Sequence, residues 1–164
     1  MTKTEDTAKE RTCCVAGHHD IQAGDVEYVK TELHRRIDEA IADGYHCFLS
    51  DFTDGANQLF AQAVLEKRSE NDAICLEAVL PWRSRYDELM NDEARKPLLL
   101  ACADVLFTGE NKTAKSERAN RKEQLRRSSR MVIVYDGREG GGTFEAIRMG
   151  HDERITIREI PLGL

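Results

Sequence analysis

The chain has 164 residues, of which 40% are apolar and 33% charged, and its net charge is −6. That length suits one domain with a real core, and no run approaches the ~18 consecutive apolar residues of a membrane span. The acidity argues against general nucleic-acid binding.

The first eleven residues, Met1 to Arg11, are polar and lack an apolar h-region, so they read as a flexible lead-in rather than a signal peptide. Cys13-Cys14-Val15-Ala16 is a short strand running into Gly17-His18-His19-Asp20. Val26, Val29, Leu33, Ile37 and Ile41 then recur at helical spacing, and Gly44 stops that helix. His46 to Leu49 is the second strand, Ser50-Asp51-Phe52-Thr53-Asp54-Gly55 its exit loop, and Leu59, Phe60, Ala63 and Val64 mark another amphipathic helix. Ala73 to Leu80 forms a third strand, halted at Pro81-Trp82. Helical stretches around Tyr86, Leu89 and Met90 and from Leu98 to Ala103 lead to a fourth strand at Asp104 to Phe107.

Residues 111–130 read as a basic helix, Met131 to Tyr135 as a fifth strand, Thr143 to Met149 as a helix beginning at the threonine, and Arg154 to Ile160 as a closing strand. Strands alternating with helices imply βαβ units, because parallel neighbours need a crossover and helices must cover both faces. The expectation is a single α/β Rossmann-like domain over 12–164, with a mainly parallel sheet and helices on both faces.

The five cysteines (Cys13, Cys14, Cys47, Cys75, Cys102) fall in or beside apolar runs, which suits small buried thiols in a reducing, cytoplasmic setting. A zinc site from Cys13, Cys14, His18 and His19 fails on geometry: neighbours on a strand point to opposite faces, and no C-x₂-C spacing is present. No metal and no cofactor are expected.

Ligands of open α/β sheets sit outside the carboxyl ends of the strands, and three exits carry suitable chemistry. Gly17-His18 offers a close-approach glycine and imidazoles, or else a plain tight turn. Ser50, Thr53 and Gly55 could border ribose hydroxyls or cap the next helix. Gly140-Gly141-Gly142-Thr143 has more glycine than a turn requires, and a helix start aims N–H groups and a positive dipole end at one place, which suits phosphate. The loop is neither a Walker loop nor G-x-G-x-x-G.

Residues 111–130 hold eight basic and two acidic residues, +6 in a chain of −6, so the remainder carries −12. Lys115, Arg118, Lys122 and Arg126 share one helical stripe with Arg121 beside it. That stripe is either a solvated face or an anion-facing wall. Trp82 and Tyr86 either roof the core or stack on a base.

Taken together, residues 12–162 resemble the SLOG superfamily, the Rossmann-like group that includes DprA/Smf and LOG-type proteins, and within it the small YpsA-like branch. The resemblance rests on Gly17-His18, the Gly44-Tyr45…Phe48-Leu49-Ser50…Gly55…Ala61 run, Pro81-Trp82, Ala103-Asp104, Arg121 and Gly141-Gly142-Thr143. It implies binding of a nucleotide or nucleotide-derived ligand, with Arg118 or Arg121 neutralising phosphate at Gly140–Thr143 and Gly17, His18, Ser50, Thr53 and Gly55 beside it.

The chain departs from the branch at Asp51 and Asn57, where a glycine and then an aspartate are usual, and at Arg121-Lys122, where Arg-Asn is usual. LOG-type phosphoribohydrolases keep a catalytic glutamate three residues after the threonine, where this chain has Ala146, with Glu145 one residue short. The resemblance therefore leaves three readings: a nucleotide-binding sensor or accessory protein; an N-glycosidase acting on nucleoside monophosphates through Glu145; and a single-stranded nucleic-acid-binding accessory protein. No membrane partner is expected, nucleic acid is disfavoured by the charge, and fold analogy suggests a homodimer.

Overall fold

Adjacent Cys13 and Cys14 enter different cores. Cys13 joins a large apolar cluster with Val29, Leu33 and Ile37, while Cys14 joins a smaller one with Leu125, Met131 and Ala146. Alternation along a strand accounts for this, and it makes the sheet the middle layer of three. In the computed structural model, which describes residues 8–163, the strands are β1 (Thr12–Gly17), β2 (Cys47–Ser50), β3 (Cys75–Leu80), β4 (Asp104–Phe107), β5 (Arg130–Tyr135) and β6 (Thr156–Pro161). All five pairings are parallel, in the order β4-β3-β2-β1-β5-β6.

Helices α1 (Val26–Ala42), α2 (Ala56–Arg68), α3 (Arg83–Met90) and α4 (Lys96–Leu100) bury their apolar sides in the larger cluster. Helices α5 (Ala114–Arg126) and α6 (Gly141–Asp152) cover the other face. The expected Rossmann-like α/β architecture is thus present. The chain lays β1 to β4 outward in one direction and then returns to place β5 on the other side of β1. At that border the loops diverge and leave a crevice at the carboxyl ends.

Several boundaries differ from the sequence expectations for local reasons. The last helix begins at Gly141 rather than Thr143, because Gly140, at φ 89°, turns the chain and stands as its N-cap. Residues 101–103 are not helical: the Ala103 amide already bonds to the Leu76 carbonyl at 2.8 Å, which draws the chain into the sheet. The basic helix stops at Arg126, and Arg130 belongs to β5, paired with Asp43 at 2.8 Å and lying 4.5 Å over the Tyr45 ring. β3 starts at Cys75 and β6 at Thr156, the latter after Arg154 takes a left-handed φ of 58°. Of the expected lead-in, residues 1–7 lie outside the described residues and 8–10 form a turn of helix, tied by the Thr12 hydroxyl donating to the Ala8 carbonyl. No helix among the described residues is long and apolar enough to cross a membrane.

Candidate functional site

At the β1/β5 border lies a cavity of about 550 Å³, lined from the exits of β1, β2, β3 and β5 and from α5. Gly17, His18 and His19 come from β1, Asp51, Thr53, Asp54 and Asn57 from β2, and Pro81 and Trp82 from β3. Arg138 and Gly140 to Thr143 follow β5, and Asn120, Arg121 and Gln124 come from α5.

Gly17 is required by close packing. A Cβ there would sit 2.4 Å from that of Ala56 and 3.0 Å from that of Val134, so β1, β5 and the start of α2 meet at this point. Gly55, at φ 85°, has the same role on the far side of the loop, where a Cβ would lie 2.5 Å from the His18 carbonyl oxygen. The Ala56 amide donates to that carbonyl at 3.1 Å, which locks the first two strand exits together.

The Ser50 to Gly55 loop is largely self-satisfied. Ser50 is fully buried; its hydroxyl donates to the Asn57 carbonyl at 2.8 Å and accepts from the Phe52 amide at 3.1 Å. Asp51 Oδ1 accepts from the Thr53 amide at 2.9 Å and from Asn57 Nδ2 at 2.8 Å. The Asp51 carboxylate is therefore tied to its own loop by two donors. Phe52, fully buried, holds a left-handed φ of 61°. A bulky residue costs about 1–3 kcal/mol there, and the Arg85 guanidinium braces it by donating to its carbonyl at 2.7 Å.

Across the cavity, the start of α6 carries no side-chain cap, and the opening N–H groups of any helix lack intrahelical partners. Arg121 lies against this turn, its Nη1 being 3.4 Å from the place a Cβ on Gly142 would occupy. Glu145, on the same helix, accepts from Arg118 Nε and Arg121 Nη2, each at 3.0 Å. Burial alone would raise the Glu145 carboxyl; the Arg118 hydrogen bond and the two guanidinium charges outweigh it and leave the group below its ordinary value. Ala146 is 1% exposed and packs into the smaller core. The position that would match a LOG-type glutamate thus faces the sheet, and Glu145, about 100° round the helix, faces the arginines of α5.

His18 is 6% exposed, and burial followed by the Arg138 charge holds its pKa below the ordinary value. Its Nε2 stands 3.2 Å from the Asp136 amide and 3.1 Å from Asp136 Oδ1. With the ring neutral, the amide contact is the hydrogen bond, Nε2 accepting. Asp136 lies well below the usual carboxylate range, owing first to the hydrogen bond from Arg138. Arg138 reaches on to Asp20 at 3.4 Å.

Of the residues expected at the site, Gly17, His18, Thr53, Arg121, Gly140, Gly141, Gly142 and Thr143 line one cavity. Ser50, Gly55, Arg118 and Glu145 do not line it, and Arg118 is 58% exposed on the outer side of α5. Sequence reasoning missed the inner face of α5. Ser116, Asn120 and Gln124 are buried at i, i+4 and i+8, Asn120 Nδ2 donating to the Val79 carbonyl at 2.7 Å and Gln124 Nε2 to Asn120 Oδ1 at 2.7 Å. The regular spacing of small polar residues in a highly charged helix was the available signal. Lys112, one of the eight basic residues of 111–130, also lines the cavity; its ammonium lies 5.8 Å over the Trp82 ring, with no carboxylate partner among the described residues.

Four cavity-wall residues have a buried side-chain atom with no hydrogen-bond partner among the described residues: Asn57 Oδ1, Trp82 Nε1, Arg121 Nε and Gln124 Oε1. Buried polar atoms are ordinarily satisfied.

No family model and no curated protein matches the chain. Among solved structures, it superposes on DNA processing protein A (DprA) from Streptococcus pneumoniae with a TM-score of 0.70 at 14% identity, covering 97% of this chain and 53% of that one. It superposes on DprA from Helicobacter pylori, described with a single-stranded DNA binding mode, with a TM-score of 0.68 at 13% identity over 99% and 70% of the two chains. TM1055 gives 0.57 at 18% identity over 90% and 72%. The chain spans about half the length of the pneumococcal protein. At these identities the likeness is one of architecture: the chain shares the Rossmann-like α/β fold of these structures.

Proposed function

We propose that the β1/β5 cavity binds a nucleotide or nucleotide-derived ligand, with its phosphate at the Gly140–Thr143 turn. One observation carries the reading: an uncapped helix start, the Arg121 guanidinium and three further incompletely bonded polar side chains surround a single cavity. Its volume of about 550 Å³ falls in the range of roughly 300–1,000 Å³ usual for small-molecule sites. Backbone N–H groups and the dipole of α6 favour an anion. Lys112 and Arg121 supply countercharge, and Asn57, Trp82 and Gln124 offer acceptors and a donor to the ribose and base. A role as a sensor or accessory protein fits better than turnover, because Glu145 is ionised, already matched by two guanidinium groups and outside the cavity lining.

Calorimetric titration with AMP, ADP-ribose and cyclic nucleotides tests the proposal. Binding that weakens in Arg121→Ala supports it, and no heat at millimolar ligand removes it. A second reading, binding of single-stranded nucleic acid, draws on the description of the Helicobacter DprA. Against it, the arginines of this segment outside the cavity lining, Arg118, Arg126 and Arg127, are already paired with Glu145, Glu123 and Glu77. A gel shift with a short oligonucleotide at low salt separates the two.

A further inference from the structure

At the opposite end of the sheet from the cavity, the amino ends of β2 and β3 bring together three groups with metal-ligating chemistry. Cys47 and Cys75 are register partners on neighbouring parallel strands, so their side chains leave the same face side by side. Glu77, two residues beyond Cys75, returns to that face. The two sulfurs and a Glu77 carboxylate oxygen all lie within 4.8 Å of one another. All three residues are half-buried rather than sealed in the core. Cys13 and Cys14, by contrast, are sealed in the two cores.

We propose that Cys47, Cys75 and Glu77 form a binding site for a thiophilic divalent cation of the zinc type. Two thiolates select soft or borderline ions over magnesium and calcium. Zinc–sulfur bonds near 2.3 Å and zinc–oxygen bonds near 2.1 Å place tetrahedral donor atoms roughly 3.4–3.8 Å apart, a contraction within the reach of side-chain rotation here. Three protein donors leave the fourth position to water.

The surroundings fit the charge. Two thiolates and a carboxylate around a divalent ion carry −1, and Arg127 donates to Glu77 Oε2 at 2.7 Å from the end of α5. That bond orients the carboxylate, the usual outer-shell arrangement around a ligating acid. Binding breaks the two S–H bonds, forms two metal–sulfur bonds and releases the protons to solvent; no electron is transferred.

The test uses the full reduced chain. Cobalt(II) titration should reach one equivalent, with a sulfur-to-cobalt charge-transfer band and the visible bands of four-coordination, and zinc should displace the cobalt and bleach both. Cys47→Ser and Cys75→Ser should each abolish the charge-transfer band or reduce it by about half, Glu77→Gln should weaken binding about tenfold or more, and Cys102→Ser should leave the titration unchanged. Circular dichroism and melting without metal identify any variant that fails to fold, and the wild-type titration stands independently of the variants. The proposal is overturned if wild type takes up no cobalt or zinc at tens of micromolar. It is also overturned if the spectrum persists in the double Cys47→Ser, Cys75→Ser variant, or if the pair responds only to peroxide by closing a disulfide.

Discussion

Glu145 holds Arg121 at 3.0 Å, and the same carboxylate reaches Arg118 with its other oxygen. An internal carboxylate therefore occupies the cation that stands beside the glycine turn, in the place where a ligand phosphate would compete. Glu145→Gln removes the competitor without removing bulk. We expect two- to fivefold tighter AMP binding by calorimetry, of the order set by a half-exposed ion pair worth about 0.2–1 kcal/mol. A loss of affinity would instead place Glu145 in contact with the ligand and reopen the glycosidase reading.

Gly17→Ala tests the meeting point of β1, β5 and α2. With Ala56 Cβ at 2.4 Å, the new methyl forces a backbone shift, and overpacking of this kind costs about 1–3 kcal/mol. Gly24→Ala, with nothing within 4 Å, is the control. Thermal melting should fall for the first and stay level for the second; equal melting points would show that the α2 start yields freely.

The Asp51–Asn57 contact gives a third expectation. Asp51→Ala and Asn57→Ala should each destabilise by about 1 kcal/mol, and the double variant by clearly less than their sum. Urea titration of the four proteins measures the coupling. Strict additivity would mean the 2.8 Å contact contributes nothing.

His18 sets a pH dependence. Its folded pKa lies below the ordinary 6.5, so the unfolded chain takes up the proton first as pH falls. The stability from keeping this ring neutral is complete above about 6.5 and is lost progressively below it. His18→Asn should flatten that part of the stability curve below about pH 6.5, as followed by urea midpoints. An unchanged acid limb would show that Asp136, Asp20 and Arg138 leave His18 free to titrate normally.

The fold was legible because its signals are periodic. Val29, Leu33 and Ile37 repeat on one helical face, and the core strands alternate cleanly between two clusters. The glycine turn was legible from composition, although its helix start moved back to Gly141. What escaped the sequence depends on partners distant along the chain. Glu145 reads as a catalytic outlier until Arg118 and Arg121 are seen across from it. Asp51 and Asn57 look like two separate departures until they meet in one hydrogen bond. Cys47 and Cys75 are 28 residues apart, and only strand register makes them neighbours.

The polar stripe of α5 has a mechanical consequence. A helix that rests on apolar contacts can slide a little at small cost, since such contacts have no direction. Asn120 fastens α5 to the Val79 carbonyl and the Thr108 hydroxyl by directional bonds, with Gln124 on the same helix holding its amide in place; the bonds to Val79 and Thr108 are lost if the helix shifts by even a fraction of a turn. The cavity wall is therefore indexed to β3, so that side chains on α5 meet a ligand at a fixed height above the sheet.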